Sequence, residues 1–189
     1  MVKNVLGVHL SRRSALALLL PFFLLFQGCL TYSLHPIGKP EDSQLRPELL
    51  GKWMEEGRRE GYFVSKAKDG TYEVKKIGRK NILTGILLNL GGVDYLDLSP
   101  QTPTEEALHI PVHLILRLKL QEDGKLQITS LDTDWLRKAL LKGKIKAAHT
   151  ELDDDLILTA PSEELRELLT RLAKQPQAFT SDSVVFAKR

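Results

Sequence analysis

The 189 residues carry 27 Lys+Arg against 24 Asp+Glu, and the first 28 residues hold three of the cations (Lys3, Arg12, Arg13) and no acid. The other 161 residues are therefore balanced at 24 against 24, which removes any argument from basicity to nucleic acid, and a chain of that length suits one domain. A single cysteine, Cys29, excludes an intrachain disulfide, so packing alone must hold the fold.

The opening segment has the three parts of a secretory signal: a cationic start, an apolar run from Ala15 to Phe26, and a small residue before the cut. As a helix the run would cover about 18 Å against a hydrocarbon core of about 30 Å, too short for a permanent span. Phe26-Gln27-Gly28-Cys29 resembles the lipobox of bacterial lipoproteins. It matches at Gly28 and Cys29 and departs at Phe26, where Leu is usual, and at Gln27, where a smaller residue is usual. The resemblance implies a signal peptide over residues 1–28, cleavage between Gly28 and Cys29, and a diacylglyceryl group on the Cys29 thiol with acylation of the new amine. It thus implies a covalent lipid and attachment to a membrane of the cell envelope; no other cofactor is expected, since the chain carries no cofactor or metal motif. Because Leu30 rather than Asp follows the cysteine, the periplasmic side of the outer membrane is the implied address. Two or more acyl chains anchor firmly where one is marginal. An ordinary secreted protein with a chance cysteine near the cut, or an uncleaved anchor, is the plainer alternative. Ser11-Arg12-Arg13 also suggests twin-arginine export, although the Leu/Phe-rich run suits the general route better.

Residues 29–47 contain three prolines and no periodicity, and read as a lipidated cysteine with a flexible tether ahead of a β-rich domain over 48–189. Gly51-Lys52-Trp53 is similar to the Gly-x-Trp of the first lipocalin strand, which implies that Trp53 plugs one end of a barrel; any buried tryptophan is the plainer reading. Hairpins are expected around Asp69-Gly70, Gly91-Gly92 and Asp123-Gly124. The clearest strand is 113–120, where Leu114, Leu116, Leu118 and Leu120 alternate with His113, Ile115, Arg117 and Lys119. The period then changes. Asp132, Thr133 and Asp134 offer N-cap oxygens to a short helix ending near Gly143, and strands are expected over 144–149 and 156–158. A second helix runs from near Pro161 to Lys174, with Leu165, Leu168, Leu169 and Leu172 on one stripe, and 183–187 forms a last strand. Together these predict an α+β fold: an antiparallel β-meander curled into an open or closed lipocalin-like barrel, with two late helices packed on it and one over a mouth.

Catalytic signatures are missing. There is no Gly-x-Ser-x-Gly, His-Glu-x-x-His, phosphate loop or Cys-x-x-Cys. His109 and His113 flank Pro111, which disfavours a helix, and as a strand they lie about 13 Å apart, too far for one metal ion. The acids Glu151, Asp153, Asp154 and Asp155 lack calcium-loop spacing and read as a solvated turn. The apolar run 85–93 is either a buried central hairpin or a lipid- or partner-facing edge. The leading expectation is a non-enzymatic envelope lipoprotein that binds a small hydrophobic ligand or lipid, with Trp53, Leu114, Leu116 and Leu118 as candidate lining. The alternative is a scaffold that docks onto another envelope protein through a sheet edge or the 162–174 helix.

Overall fold

The computed structural model describes residues 29–101 and 112–189. Residues 1–28, with the expected signal segment and Gly28, and residues 102–111, with His109 and Pro111, lie outside the described residues. Each hairpin expected from turn chemistry is present. Strands β2 (Gly51–Glu55), β3 (Gly61–Lys66), β4 (Tyr72–Lys76), β5 (Ile82–Leu90), β6 (Val93–Pro100), β7 (His113–Leu120) and β8 (Leu126–Ser130) pair antiparallel in chain order. At the β5–β6 turn Gly91 and Gly92 adopt φ of 62° and 82°, the left-handed pair that a two-residue hairpin turn needs.

Closure comes from the far end of the chain. Strand β11 (Val184–Lys188), following β9 (His149–Leu152) and β10 (Asp155–Leu158), inserts between β8 and β2 and is antiparallel to both. The result is a closed eight-stranded antiparallel barrel, lipocalin-like, with two helices packed on it. Its interior is one apolar core, built from residues such as Trp53, Leu87, Leu98, Leu116 and Phe186.

A second core lies outside the wall. Helix α1 (Thr133–Leu141) begins at Asp132, whose carboxylate accepts from the Trp135 N–H as an N-cap. Helix α2 (Ser162–Leu172) buries Leu165, Leu168, Leu169 and Leu172 against the outward-facing Ile86, Leu88, Tyr95 and Ile115. Burying each such leucine contributes about 2 kcal/mol, which explains why the stripe packs inward although the rest of the helix is polar. The helices thus sit on the side wall of β5–β7, not over a mouth as the sequence reading expected. Since both faces of those strands are buried, the 85–93 run is a central hairpin, and Ile115 is buried as deeply as the leucines flanking it. Leu120, grouped with the inward leucines by its spacing, is 40% exposed where β7 reaches its turn.

Further expectations require correction. Residues 29–47 are not a free tether: β1 (Thr31–Ser33) joins the sheet, parallel to β10 and antiparallel to the start of β7. Leu30, Ile37 and Leu49 are buried, and the Leu30, Ile37 and Leu87 N–H groups donate to the side chains of Asp155, Asp97 and Ser43. Irregular, proline-containing chain can lie on a wall when side chains satisfy its backbone. Nor is 144–149 a strand, because the Lys144 and Ile145 N–H groups close the end of α1 on the Ala139 carbonyl. Strand β9 starts at His149 and takes Glu151 from the expected acidic turn, leaving Asp153 at φ 53°.

Asp97 holds this strap. It is 1% exposed on the outer face of β6, accepting from Ile37 N–H at 2.8 Å and lying 2.7 Å from His113 Nδ1. Asp97→Ala should lower unfolding free energy by about 3 kcal/mol, since the buried Ile37 N–H and the half-buried His113 imidazole lose their partner. Urea titration will show this as a shift in midpoint, and a change below about 1 kcal/mol would contradict the assignment.

Candidate functional site

One end of the barrel is sealed by the chain that enters it. The turn Pro47–Leu49 crosses beneath β2, and Trp53 Nε1 donates to the Leu49 carbonyl at 2.8 Å. Lys188 Nζ lies 5.5 Å from the Trp53 ring centroid and donates to the Glu48 carbonyl at 2.8 Å. The Tyr72 hydroxyl accepts from Arg46 N–H and donates to the Gln44 carbonyl, while Arg46 forms a bidentate pair with Asp94. Trp53 is 2% exposed and packs in the inner core at this end, as both readings of it require.

Above the plug lies an internal cavity of about 80 Å³. Trp53, Leu114, Leu116 and Leu118, singled out from the sequence, all line it. Tyr62, Val64, Tyr72, Val74 and Phe186 line it too and were missed, because strand parity around the barrel cannot be assigned until register is known. Once Trp53 is taken as inward, parity on β2 alone would have flagged Glu55. The wall is hydrocarbon and aromatic throughout, so the cavity repels water, and apolar cavities of this kind stay dry. Its volume is well below the roughly 300 Å³ of a drug-sized pocket, and it suits a slender chain.

The opposite end is framed by the β2–β3 and β4–β5 turns and is polar. Glu55 pairs in register with the cavity-lining Phe186, and Lys76 with the cavity-lining Tyr62, so both side chains lie on the inner face. Lys76 Nζ is 2.6 Å from Glu60 Oε2, and Arg58 Nε is 3.1 Å from Glu55 Oε1. Burial lifts the Glu55 carboxyl above its ordinary range; Glu60 adds to this, and Arg58 and Lys76 oppose it. Burial also raises the Tyr62 phenol, with Glu60 and Glu55 acting in the same direction.

His113, Asp97 and Tyr95 are engaged in contacts on the outer face of the wall. His113 faces outward onto Asp97, and Ser33, opposite it in the β1–β7 register, donates to the His35 carbonyl. Tyr95, its phenol pushed up to about 12 by burial, donates to the Leu169 carbonyl at the helix–wall contact. Among the described residues no group of three or more His, Cys, Asp or Glu is placed to hold a metal ion. Among them, too, no helix is long and apolar enough to cross a membrane. The fold resembles that of non-enzymatic binding proteins. Comparison with protein-family models, curated proteins and solved structures returned no match.

Proposed function

We propose that this protein is an envelope lipoprotein, acylated at Cys29 and held on the periplasmic side of the outer membrane, whose barrel takes up a small hydrophobic ligand or a lipid chain. The observation that carries the ligand reading is the apolar cavity lined by the inner faces of the barrel strands. Dense packing is the default of protein interiors, so a void lined by so many large side chains calls for an occupant. The anchor reading rests on Phe26-Gln27-Gly28-Cys29. Cys29 itself is half-buried, and its carbonyl accepts from the Thr133 hydroxyl at 2.9 Å. An acylated Cys29 therefore presses the barrel against the bilayer, with no length of free chain between lipid and fold.

Two measurements test this. Native mass spectrometry of the full chain purified from membranes, followed by lipid extraction, should return a co-purifying hydrophobic molecule, and repeated recovery of empty protein would refute the ligand reading. Cys29→Ser should lose radioactive fatty-acid label completely, whereas retained label would refute the anchor.

The second reading, a scaffold for another envelope protein, finds its support in β9. Every residue of this strand is exposed, and among the described residues it pairs only with β10, which leaves a sheet edge for a partner strand. The stripe of α2 is already spent on the barrel wall and offers a partner nothing. Crosslinking from β9 in intact cells separates this reading from the first.

A further inference from the structure

The cavity accounts for a ligand's tail and says nothing of its head. At the polar end, Glu55 is 7% exposed and lies two residues beyond Trp53 on the inner face of β2. Its Oε1 is held by Arg58, but its Oε2 is buried with no hydrogen-bond partner among the described residues. A buried carboxylate oxygen without a donor is costly and uncommon in a native fold, and it calls for a reason. The Lys76 ammonium, whose charge acts on Glu55, donates to Glu60 Oε2 at 2.6 Å. Tyr62 and Phe186, packed edge to face with centroids 5.7 Å apart, line the cavity beside Glu55, so the acceptor adjoins the apolar space.

We propose that Glu55 is the head-group site of the barrel and selects amphiphiles whose head donates hydrogen bonds, a primary alcohol or a protonated amine, over those that carry a carboxylate. This rests on the ligand-binding reading given above. An alcohol supplies the donor that Oε2 lacks, and an ammonium supplies a donor with a compensating charge. A carboxylate head supplies neither, and meets Glu55 and Glu60 as like charges. A slender aliphatic tail then runs from Glu55 toward the sealed end, where Trp53 stands. The arrangement orients the ligand with its head at the β2–β3 turn and its chain terminus against the indole.

Trp53 makes the test direct, because a terminal bromine brought against it quenches its fluorescence. The second tryptophan of the chain, Trp135, lies on α1 outside the barrel and is replaced by Phe to clear the signal. On the full chain, 6-bromohexan-1-ol and 6-bromohexylamine should quench Trp53 with apparent Kd values at least tenfold below that of 6-bromohexanoate at neutral pH. Glu55→Gln should remove the advantage of the amine while leaving quenching by headless 1-bromohexane unchanged, with Glu55→Met as the substitute should the amide disturb folding. 6-Bromohexanoate binding as tightly as the alcohol, or an unchanged ranking in both Glu55 variants, overturns the head-group assignment alone. Failure of every probe, bromohexane included, overturns the ligand-binding reading and this inference with it.

Discussion

Val64→Phe should empty the barrel of its ligand without unfolding it. Val64 lies on the inner face of β3, opposite Gly51, which has no side chain to obstruct a phenyl ring turning into the void. A cavity of about 80 Å³ costs about 2 kcal/mol at roughly 24 cal/mol per Å³, and filling it recovers part of that. Overpacking costs about 1–3 kcal/mol, so the two effects nearly cancel, and net stability should stay within about 1 kcal/mol of wild type. Binding responds differently. A ring in the cavity leaves no space for an aliphatic chain, so lipid recovered from the variant should fall at least tenfold while the urea midpoint barely moves. Full recovery would mean that the ligand sits elsewhere, and the function proposed for the barrel would fail.

Trp53→Ala should be the most destabilising single change in the barrel, by about 4 kcal/mol, a large share of the roughly 5–15 kcal/mol that holds a domain folded. The indole fills the sealed end, donates to the Leu49 carbonyl, and lies under the Lys188 ammonium, so its removal loses packing, a hydrogen bond and a cation–π contact together. Trp53→Phe keeps most of the packing and leaves the Leu49 carbonyl without its donor, for an expected cost of about 1.5 kcal/mol. Urea midpoints at constant m-value check both figures. A loss below about 2 kcal/mol in the alanine variant would show that Trp53 is no plug.

The local elements were readable because their causes are local. Asp69-Gly70, Gly91-Gly92 and Asp123-Gly124 each turn a hairpin by backbone preference alone, and the leucine spacing of α2 needs only the helical period. The candidate site was half readable on the same ground. Trp53 stood out through its Gly-x-Trp setting, and Leu114, Leu116 and Leu118 through clean alternation on β7. The rest of the lining comes from strands such as β3 and β4, whose mixed composition names no inner face until register with β2 is set. Glu55 and Lys76 carry the polar end, yet as charged residues in short strands they read as surface.

The strap was misread for a related reason. Leu30 and Ile37 lie in a stretch without helix or strand period, so composition described it as a linker, while Asp97 and Asp155, far along the chain, supply the acceptors that fix it. The corrected strap also changes what an anchor would do, since a lipid on Cys29 would meet the barrel directly.

By itself, the sequence determined the neutral balance beyond residue 28, the order of hairpins and helices, the amphipathic stripe of α2 and the lipobox-like Phe26-Gln27-Gly28-Cys29, all of which depend on residues close in the chain. Only the tertiary structure decided that β11 closes the sheet into a barrel, that the helices seat on its side wall, that an apolar cavity remains above Trp53 and that Glu55 pairs in register with the cavity-lining Phe186. Those features arise from pairings between residues far apart in the chain, and their register follows from the joint packing of the inner and outer cores, which no local pattern encodes.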